Sequence, residues 1–265
     1  MKIRVFKNIF LKYLLSKGIS VTRNTDKESL VSFINQLHPF CTDKDLIRLG
    51  SKGDGGYLIP DDIEGISACF SPGIGELSIF EQDCSEYGMQ VFLADKSVDK
   101  PPLKNEKFHF LKKFIGPITN GDFITMDDWV NESMIEKNSD LLLQMDIEGH
   151  EYFSIINMSD SLLKRFRIMV IEFHDLDKLI NIEFYNKAMI VFKKILQNHI
   201  CVHIHPNNCY EIFYFRGIEI PIVSEFTFIR KDRIKNWSPQ ITFPHPLDID
   251  NTNKKSIILP KSWYS

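Results

Sequence analysis

Two apolar runs that break into carboxylates and a histidine constrain this chain more than anything else in it. They are Leu141-Leu142-Leu143-Gln144-Met145-Asp146-Ile147-Glu148-Gly149-His150-Glu151 and Arg167-Ile168-Met169-Val170-Ile171-Glu172-Phe173-His174-Asp175. A short, nearly continuous apolar run reads as a strand buried on both faces, the pattern of a parallel sheet covered by helices. Open sheets of that kind keep their ligands beyond the carboxyl ends of the strands, which is where these acids and histidines stand. The chemistry is expected there.

At 265 residues, 43% apolar and 25% charged, the chain can bury a sizeable core as one domain with extensions. A net charge of -3 provides no global basic field, so the expected partner is a small molecule or glycan and no nucleic acid. Cys41, Cys69, Cys84, Cys201 and Cys209 are odd in number and contain no C-x-x-C pair, which fits buried thiols in a reducing, cytoplasmic setting.

Ile3, Phe6, Phe10, Tyr13 and Leu14 recur at helical spacing among Lys2, Arg4, Lys7, Lys12 and Lys17. This basic amphipathic helix packs on the core, on a second copy in a homodimer, or weakly on an anionic membrane surface. It is not a signal peptide, and no stretch reaches the length of a membrane span. Thr25-Asp26-Lys27-Glu28 has capping-box spacing ahead of a helix with Leu30, Phe33, Ile34 and Leu37 on one stripe. Residues 1–45 therefore read as a helical extension, 46–232 as the main domain, and 233–265, rich in Pro, Asn and Lys, as a tail that wraps the surface.

Inside the main domain a βα alternation runs through strands at Ile66 to Phe70, Gln90 to Ala94, Phe108 to Leu111, the run ending at Asp146 and the run ending near His174. Helices are expected to about Tyr87, over Met126 to Ile135, after Glu151, and from Ile182 to Gln197. Further strands follow at Cys201 to His205, Tyr210 to Phe215 and Ile222 to Ile229. After the first core strand, Gly73 and Gly75 remove side chains where a backbone passes close to a ligand, and the next helix offers free N–H groups. Asp95 closes the second strand, where a carboxylate can accept both hydroxyls of a ribose. Ser78 stands where a dinucleotide fingerprint would want a third glycine, which tilts the cofactor from NAD toward S-adenosylmethionine.

Ile74-Gly75-x-x-Ser78, Asp95, Thr125-Met126-Asp127-Asp128-Trp129, Asp146-Ile147-Glu148-Gly149-x-Glu151 and Val170-Ile171-Glu172 together resemble the successive motifs of the FkbM-type methyltransferases, over roughly residues 47 to 230. The resemblance implies a Rossmann-like class I methyltransferase fold, with a mostly parallel seven-stranded sheet and helices on both faces. It also implies S-adenosylmethionine as methyl donor and O-methylation of a sugar or related hydroxyl, as in surface polysaccharide biosynthesis. Gly73, Gly75 and Asp95 would take the cofactor roles, with Asp54, Tyr57, Ser71, Glu81 and Asp127 around them. Two departures stand out: Cys69-Phe70-Ser71 replaces the family's Asp-x-Gly before the turn, and Asp95 replaces a Glu.

A sugar hydroxyl is a poor nucleophile at neutral pH, which leaves two routes. One is a general base, with Asp146, His150 and His174 as candidates and His205, beside Asn207, lining the acceptor pocket from across the strand edge. The other is a magnesium or manganese ion on Asp146, Glu172 and His174. Glu148 and Glu151 read as acids balancing a helix dipole. Two other classes stay open: a metal-dependent nucleotide-sugar enzyme such as a glycosyltransferase, with Asp146 and Glu148 on metal and diphosphate, and a catalytically silent adenosine-binding protein.

Overall fold

The computed structural model describes residues 10–19, 21–75 and 77–265. Residues 10–16 are helical, whereas Ile3, Phe6 and the basic residues near them lie outside the described residues. Helix α1 (Lys27–Gln36) starts one residue later than a Thr25 cap would place it, because Asp26 is the N-cap and accepts from Ser29 N at 2.8 Å. Thr25 is instead buried, its hydroxyl donating to Leu179 O.

The core is a seven-stranded sheet of β4 (Ala68–Pro72), β5 (Gln90–Ala94), β6 (Phe108–Leu111), β9 (Leu141–Met145), β10 (Phe166–Phe173), β11 (His199–Pro206) and β14 (Ser224–Arg230), in the order β6-β5-β4-β9-β10-β14-β11. The pairs β5–β6, β4–β5, β4–β9 and β9–β10 are parallel, and only β14 runs against its neighbours. Helical crossovers follow β4, β6 and β9 and account for the parallel half, while the β5–β6 connection over residues 95–107 is a loop without a helix. The chain thus has the Rossmann-like methyltransferase sheet that the motif order implied.

Side-chain alternation divides the core into two layers. One face, with Phe70, Leu143, Met169, Ile171, Phe173, Phe226 and Phe228, is covered by α1, α3 (Met126–Ser133), α4 (Glu151–Asn157) and α6 (Ile182–Asn198). The other, with Cys69, Val91, Leu93, Leu142, Ile168 and Val170, is covered by α2 (Ile79–Glu86) and by a hairpin of β2 (Leu46–Gly50) and β3 (Gly56–Pro60). Apolar alternation in β2 is weak, so the sequence reading passed over it. Also unforeseen were β13 (Ile218–Pro221), the hairpin partner of β12 (Ile212–Phe215), and the pairs β7–β8 (Phe114–Ile115, Phe123–Ile124) and β1–β15 (Phe40–Thr42, Trp237–Pro239). The last pair ties the end of the N-terminal extension to the start of the tail.

Phe33 of α1 stacks edge-on against Phe192 of α6, so the extension contributes to the main core. The tail returns as well: Trp263 is fully buried against Phe226, and its indole N–H donates to Glu219 O. No helix among the described residues is long and apolar enough to cross a membrane. All five cysteines are free.

Candidate active site

Strands β4, β9 and β10 end side by side, and the backbone turns sharply after each. Gly73 follows β4 with φ +84°, its N–H donating to Ala94 O at 3.0 Å. A Cβ at Gly73 would stand 1.5 Å from the carbonyl oxygen of Asp146, so only glycine lets these two strand ends meet. Gly75 differs: a Cβ there meets nothing within 4 Å. Its missing side chain opens space toward a cavity of about 500 Å³.

That cavity is lined by Gly73, Ile74, Gly75 and Asp95 on one side and by Asp146, Ile147, Glu148 and His150 on the other, with Phe114 and Phe123 among its apolar wall. Asp95 holds the glycine turn: Oδ2 accepts from Ile74 N at 3.1 Å, and Oδ1 accepts from Ser97 N and its hydroxyl at 2.7 and 2.6 Å. A carboxylate has about four acceptor sites, so roughly one is left for a ligand. That leaves less acceptor capacity than the two ribose hydroxyls expected of Asp95 would need.

Beneath the turn lies a buried polar chain. Gln144 donates to the Tyr57 hydroxyl at 3.1 Å, and Ser71 Oγ lies 2.7 Å from Gln144 Oε1 and 2.6 Å from Glu81 Oε1. The Ser71 hydroxyl donates to Glu81, and burial raises the Glu81 pKa against the pull of that hydrogen bond. Tyr57, Ser71 and Glu81 brace the turn and do not line the cavity. Asp127 is also turned away, accepting from Ser159 N at 2.8 Å and from the Ser159 hydroxyl. Its expected place in the cofactor pocket is corrected accordingly.

The catalytic candidates separate in the same way. His174 Nε2 lies 3.3 Å from Glu148 Oε2, 3.8 Å from Glu172 Oε1 and 3.9 Å from Asp146 Oδ1. Its Nδ1 lies 3.1 Å from Glu151 Oε1, and that oxygen also accepts from Ile147 N and Gly149 N. Burial alone would lower the His174 pKa, but the Glu151 hydrogen bond and charge, with Asp146 and Glu148 behind them, outweigh burial and raise it. Burial pushes Asp146 up to about 7, against the pull of His174, with the charges of Glu148, Glu151 and Asp54 adding to the rise. Asp146 Oδ1 is buried with no hydrogen-bond partner among the described residues.

Glu148 and Asp175 both have positive φ (55° and 62°), conformations that cost a non-glycine residue about 1–2 kcal/mol and that turn the carboxylates back over His174 and its loop. Glu151 stands in the first turn of α4, as expected of a dipole-balancing acid, and touches the imidazole as well, whereas Glu148 lies before the helix and faces the imidazole instead. The metal set shifts too. Asp146, Glu148 and His174 bring one ligand atom each within 4.8 Å of one another. Glu172 stands behind them, accepting from Asn207 at 3.0 Å, its pKa raised well above the carboxylate range by burial and by Asp146 and Glu225.

His205 lies two strands further along the same sheet face, in register with Glu225, which pairs with Glu172 on its other side. It does not line the cavity; it faces Asp248 from the tail. Asn251, also from the tail, donates to the buried Glu225 at 2.8 Å and to Asp54, which stays exposed, at 3.2 Å. A glutamate inside the apolar run Ser224-Glu225-Phe226-Thr227-Phe228 was a readable signal of a polar neighbour; Asn251 and Asp248 carried none.

No family model and no curated protein sequence matches the chain. Solved structures do. A Methanococcus jannaschii fibrillarin pre-rRNA processing protein aligns with TM-score 0.36 and 10% identity, over 71% of this chain and 83% of its own. A protein from Pyrococcus horikoshii assigned as an RNA methyltransferase aligns with TM-score 0.34 and 14% identity, over 64% and 75%. A 16S rRNA (adenine(1408)-N(1))-methyltransferase variant from Catenulisporales acidiphilia gives TM-score 0.29 and 8% identity, over 70% and 98%. At these values the likenesses carry no argument about chemistry, and the fold assignment stands on the sheet order itself. They do correct one expectation. All three are RNA-directed by name, against the expectation of no nucleic-acid partner.

Proposed function

We propose that this chain is an S-adenosylmethionine-dependent methyltransferase of the FkbM type that O-methylates a sugar or sugar-derived hydroxyl, as in surface polysaccharide biosynthesis. One observation carries the methyltransferase part: a single cavity touches both the glycine turn with Asp95 and the Asp146–Glu148–His150 segment. Cofactor and base would then share one chamber. The sugar acceptor and the FkbM assignment rest on the motif residues alone.

The residues fit the cofactor at the points that can be tested on the protein. The open side of Gly75 gives room for its adenosine portion, the remaining acceptor site of Asp95 takes one ribose hydroxyl, and Phe114 and Phe123 supply apolar wall. When bound, S-adenosylmethionine supplies an electrophilic methyl group on a sulfonium. Asp146, titrating at about 7, is poised to accept the proton of an acceptor hydroxyl at neutral pH. His174, 3.9 Å away, is coupled to Asp146 by charge, so the two titrate as a pair. Glu151 fixes the imidazole from its Nδ1 side. A divalent cation on Asp146, Glu148 and His174 would lower the hydroxyl pKa instead. The unpartnered oxygen of Asp146 calls for a proton or a cation, and we favour the proton, because the site's own shifts already place one there near pH 7.

Calorimetric titration of the purified chain with S-adenosylmethionine and with UDP-sugars tests the reading. One-site binding of the first alone, lost in Gly75→Val, is expected; binding of UDP-sugars alone would favour the glycosyltransferase reading. With labelled cofactor and pooled polysaccharide precursors, Asp146→Asn should lower turnover by roughly a hundredfold with little change in cofactor affinity. The base route predicts indifference to EDTA and an acid limb above pH 6.5, since the His174 pKa is raised and its base form is the neutral one.

A further inference from the structure

Three side chains meet outside the cavity, where the C-terminal segment crosses β11. His203 Nε2 lies 2.8 Å from Asp248 Oδ1, and His205 Nδ1 lies 3.6 Å from the same oxygen, too far for a hydrogen bond. His205 Nε2 is buried with no partner among the described residues. The histidines are 2% and 8% exposed, so a nitrogen is desolvated here without compensation. One ligand atom from each of the three residues lies within 4.8 Å of the others.

Two imidazole nitrogens and one carboxylate oxygen, from alternate residues of a strand and a segment crossing it, form a donor set suited to zinc-type cations. Ligand atoms about 2 Å from a tetrahedral ion are about 3.3 Å apart, close to the spacings found here. The surroundings also orient the set. Asp248 Oδ2 accepts from His245 N at 2.8 Å, which holds the carboxylate toward the histidines. The His245 ring lies 5.9 Å from that of His203, and its Nδ1 accepts from Leu247 N, which fixes the loop carrying Asp248 beside the cluster.

We propose that His203, His205 and Asp248, with water in a fourth position, bind a divalent transition-metal cation of the zinc type and so clasp the C-terminal segment onto the sheet. Asn208, accepting from Thr252 N and donating to Thr252 O and Lys254 O, holds the same segment a few residues on, so the clasp would extend an existing attachment. The site shares no residue with the cavity, and its fate is independent of the methyltransferase reading.

The test uses the full chain carrying Asp146→Asn and Glu148→Gln, which silences the other cluster, stripped with chelator and titrated with zinc chloride. Expected are one equivalent bound with submicromolar affinity, a melting temperature raised by several degrees, and slower proteolysis of the C-terminal segment. His203→Ala or Asp248→Ala should weaken zinc binding at least tenfold. Cobalt in place of zinc should give the strong visible absorption of a four-coordinate site. Absent or millimolar zinc binding, a weak six-coordinate cobalt spectrum, or unchanged affinity in folded His203→Ala overturns the proposal. Should the alanine variants fail to fold, the cobalt spectrum with His203 intact decides.

Discussion

Replacing Gly73 by alanine puts a methyl carbon 1.5 Å from the carbonyl oxygen of Asp146 and 2.7 Å from its carbonyl carbon. Neither neighbour is a flexible side chain, so the β4 and β9 ends must part. Moving them strains or breaks two backbone hydrogen bonds, Gly73 N to Ala94 O at 3.0 Å and Asp146 N to Pro72 O at 3.3 Å, at about 1 kcal/mol each. Holding alanine at φ +84° adds about 1–2 kcal/mol. The sum, roughly 3–4 kcal/mol, is a large share of the ~5–15 kcal/mol that stabilises an ordinary domain. Gly75 is the control, because its φ is not left-handed and its Cβ direction is empty. Gly75→Ala should leave stability unchanged to within about 0.5 kcal/mol. Urea unfolding of the two variants beside the wild type checks the contrast. If Gly73→Ala unfolds within 1 kcal/mol of wild type, or both alanines cost the same, the close approach of the two strand ends is refuted.

Two further outcomes are expected. Burial holds the His199 pKa down to about 4, although Phe166 O accepts from its Nε2 at 2.7 Å. Because the unfolded histidine binds its proton first, this contribution is complete above pH 6.5 and is lost as pH falls toward 4. It amounts to about 3 kcal/mol in all and about 2 kcal/mol by pH 5, read as the difference in urea stability between wild type and His199→Gln; parallel pH profiles would show that His199 is not buried neutral. Asp127→Ala should destabilise by about 1–2 kcal/mol through loss of its bonds to Ser159 while leaving S-adenosylmethionine affinity unchanged. A calorimetric loss of affinity at unchanged stability would return Asp127 to the pocket.

The fold was legible because its parallel half announces itself: Leu141–Met145 and Phe166–Phe173 are buried at every position, so they read as nearly continuous apolar runs interrupted only by Gln144, Arg167 and Glu172. The bounds read for β5 and β6 also match. The turn at Gly53–Gly56 and the strand Tyr57-Leu58-Ile59 before Pro60 were legible as β3, whereas β2, β13 and the β1–β15 pair were not, since such short strands lack a strong period and β1 and β15 also depend on a partner distant in sequence. The site divides on similar grounds. Asp146 and His174 were readable as polar breaks in apolar strands. The true work of Asp127, Ser71 and Glu81 was not, because a motif gives a residue's position in the chain and not the side of the turn to which its side chain points. Gly73 and Gly75 look alike in a G-x-G, yet one is needed by the strand behind it and the other by the space in front. The second histidine cluster stayed hidden for a simpler reason: its carboxylate comes from Asp248, more than forty residues from His203 in a segment with no pattern of its own.

Glu151 shows how the acidic strand ends become one device. The residue is fully buried at the start of α4, and a single carboxylate oxygen gathers Ile147 N, Gly149 N and His174 Nδ1. The two amides fix the loop that carries Glu148 at positive φ, and the third contact fixes the ring that Glu148 and Asp146 face. The hydroxyl of Tyr152, the next residue, donates to His174 O at 2.8 Å, so one turn of helix sets both the backbone and the imidazole of His174. Glu151 is therefore a positioning residue with an electrostatic consequence. Glu151→Gln retains an acceptor oxygen and the shape of the side chain but removes the charge that leads the upward shift of His174 against burial. The His174 titration midpoint, followed by nitrogen NMR of the imidazole, should fall in this variant, and the acid limb of methyl transfer should move to lower pH with it. A purely structural glutamate would leave both where they are while lowering stability. An unchanged midpoint in a folded Glu151→Gln protein would refute the coupling and leave the carboxyls of Asp146 and Glu172 as the groups whose proton affinity the burial at this strand edge has tuned.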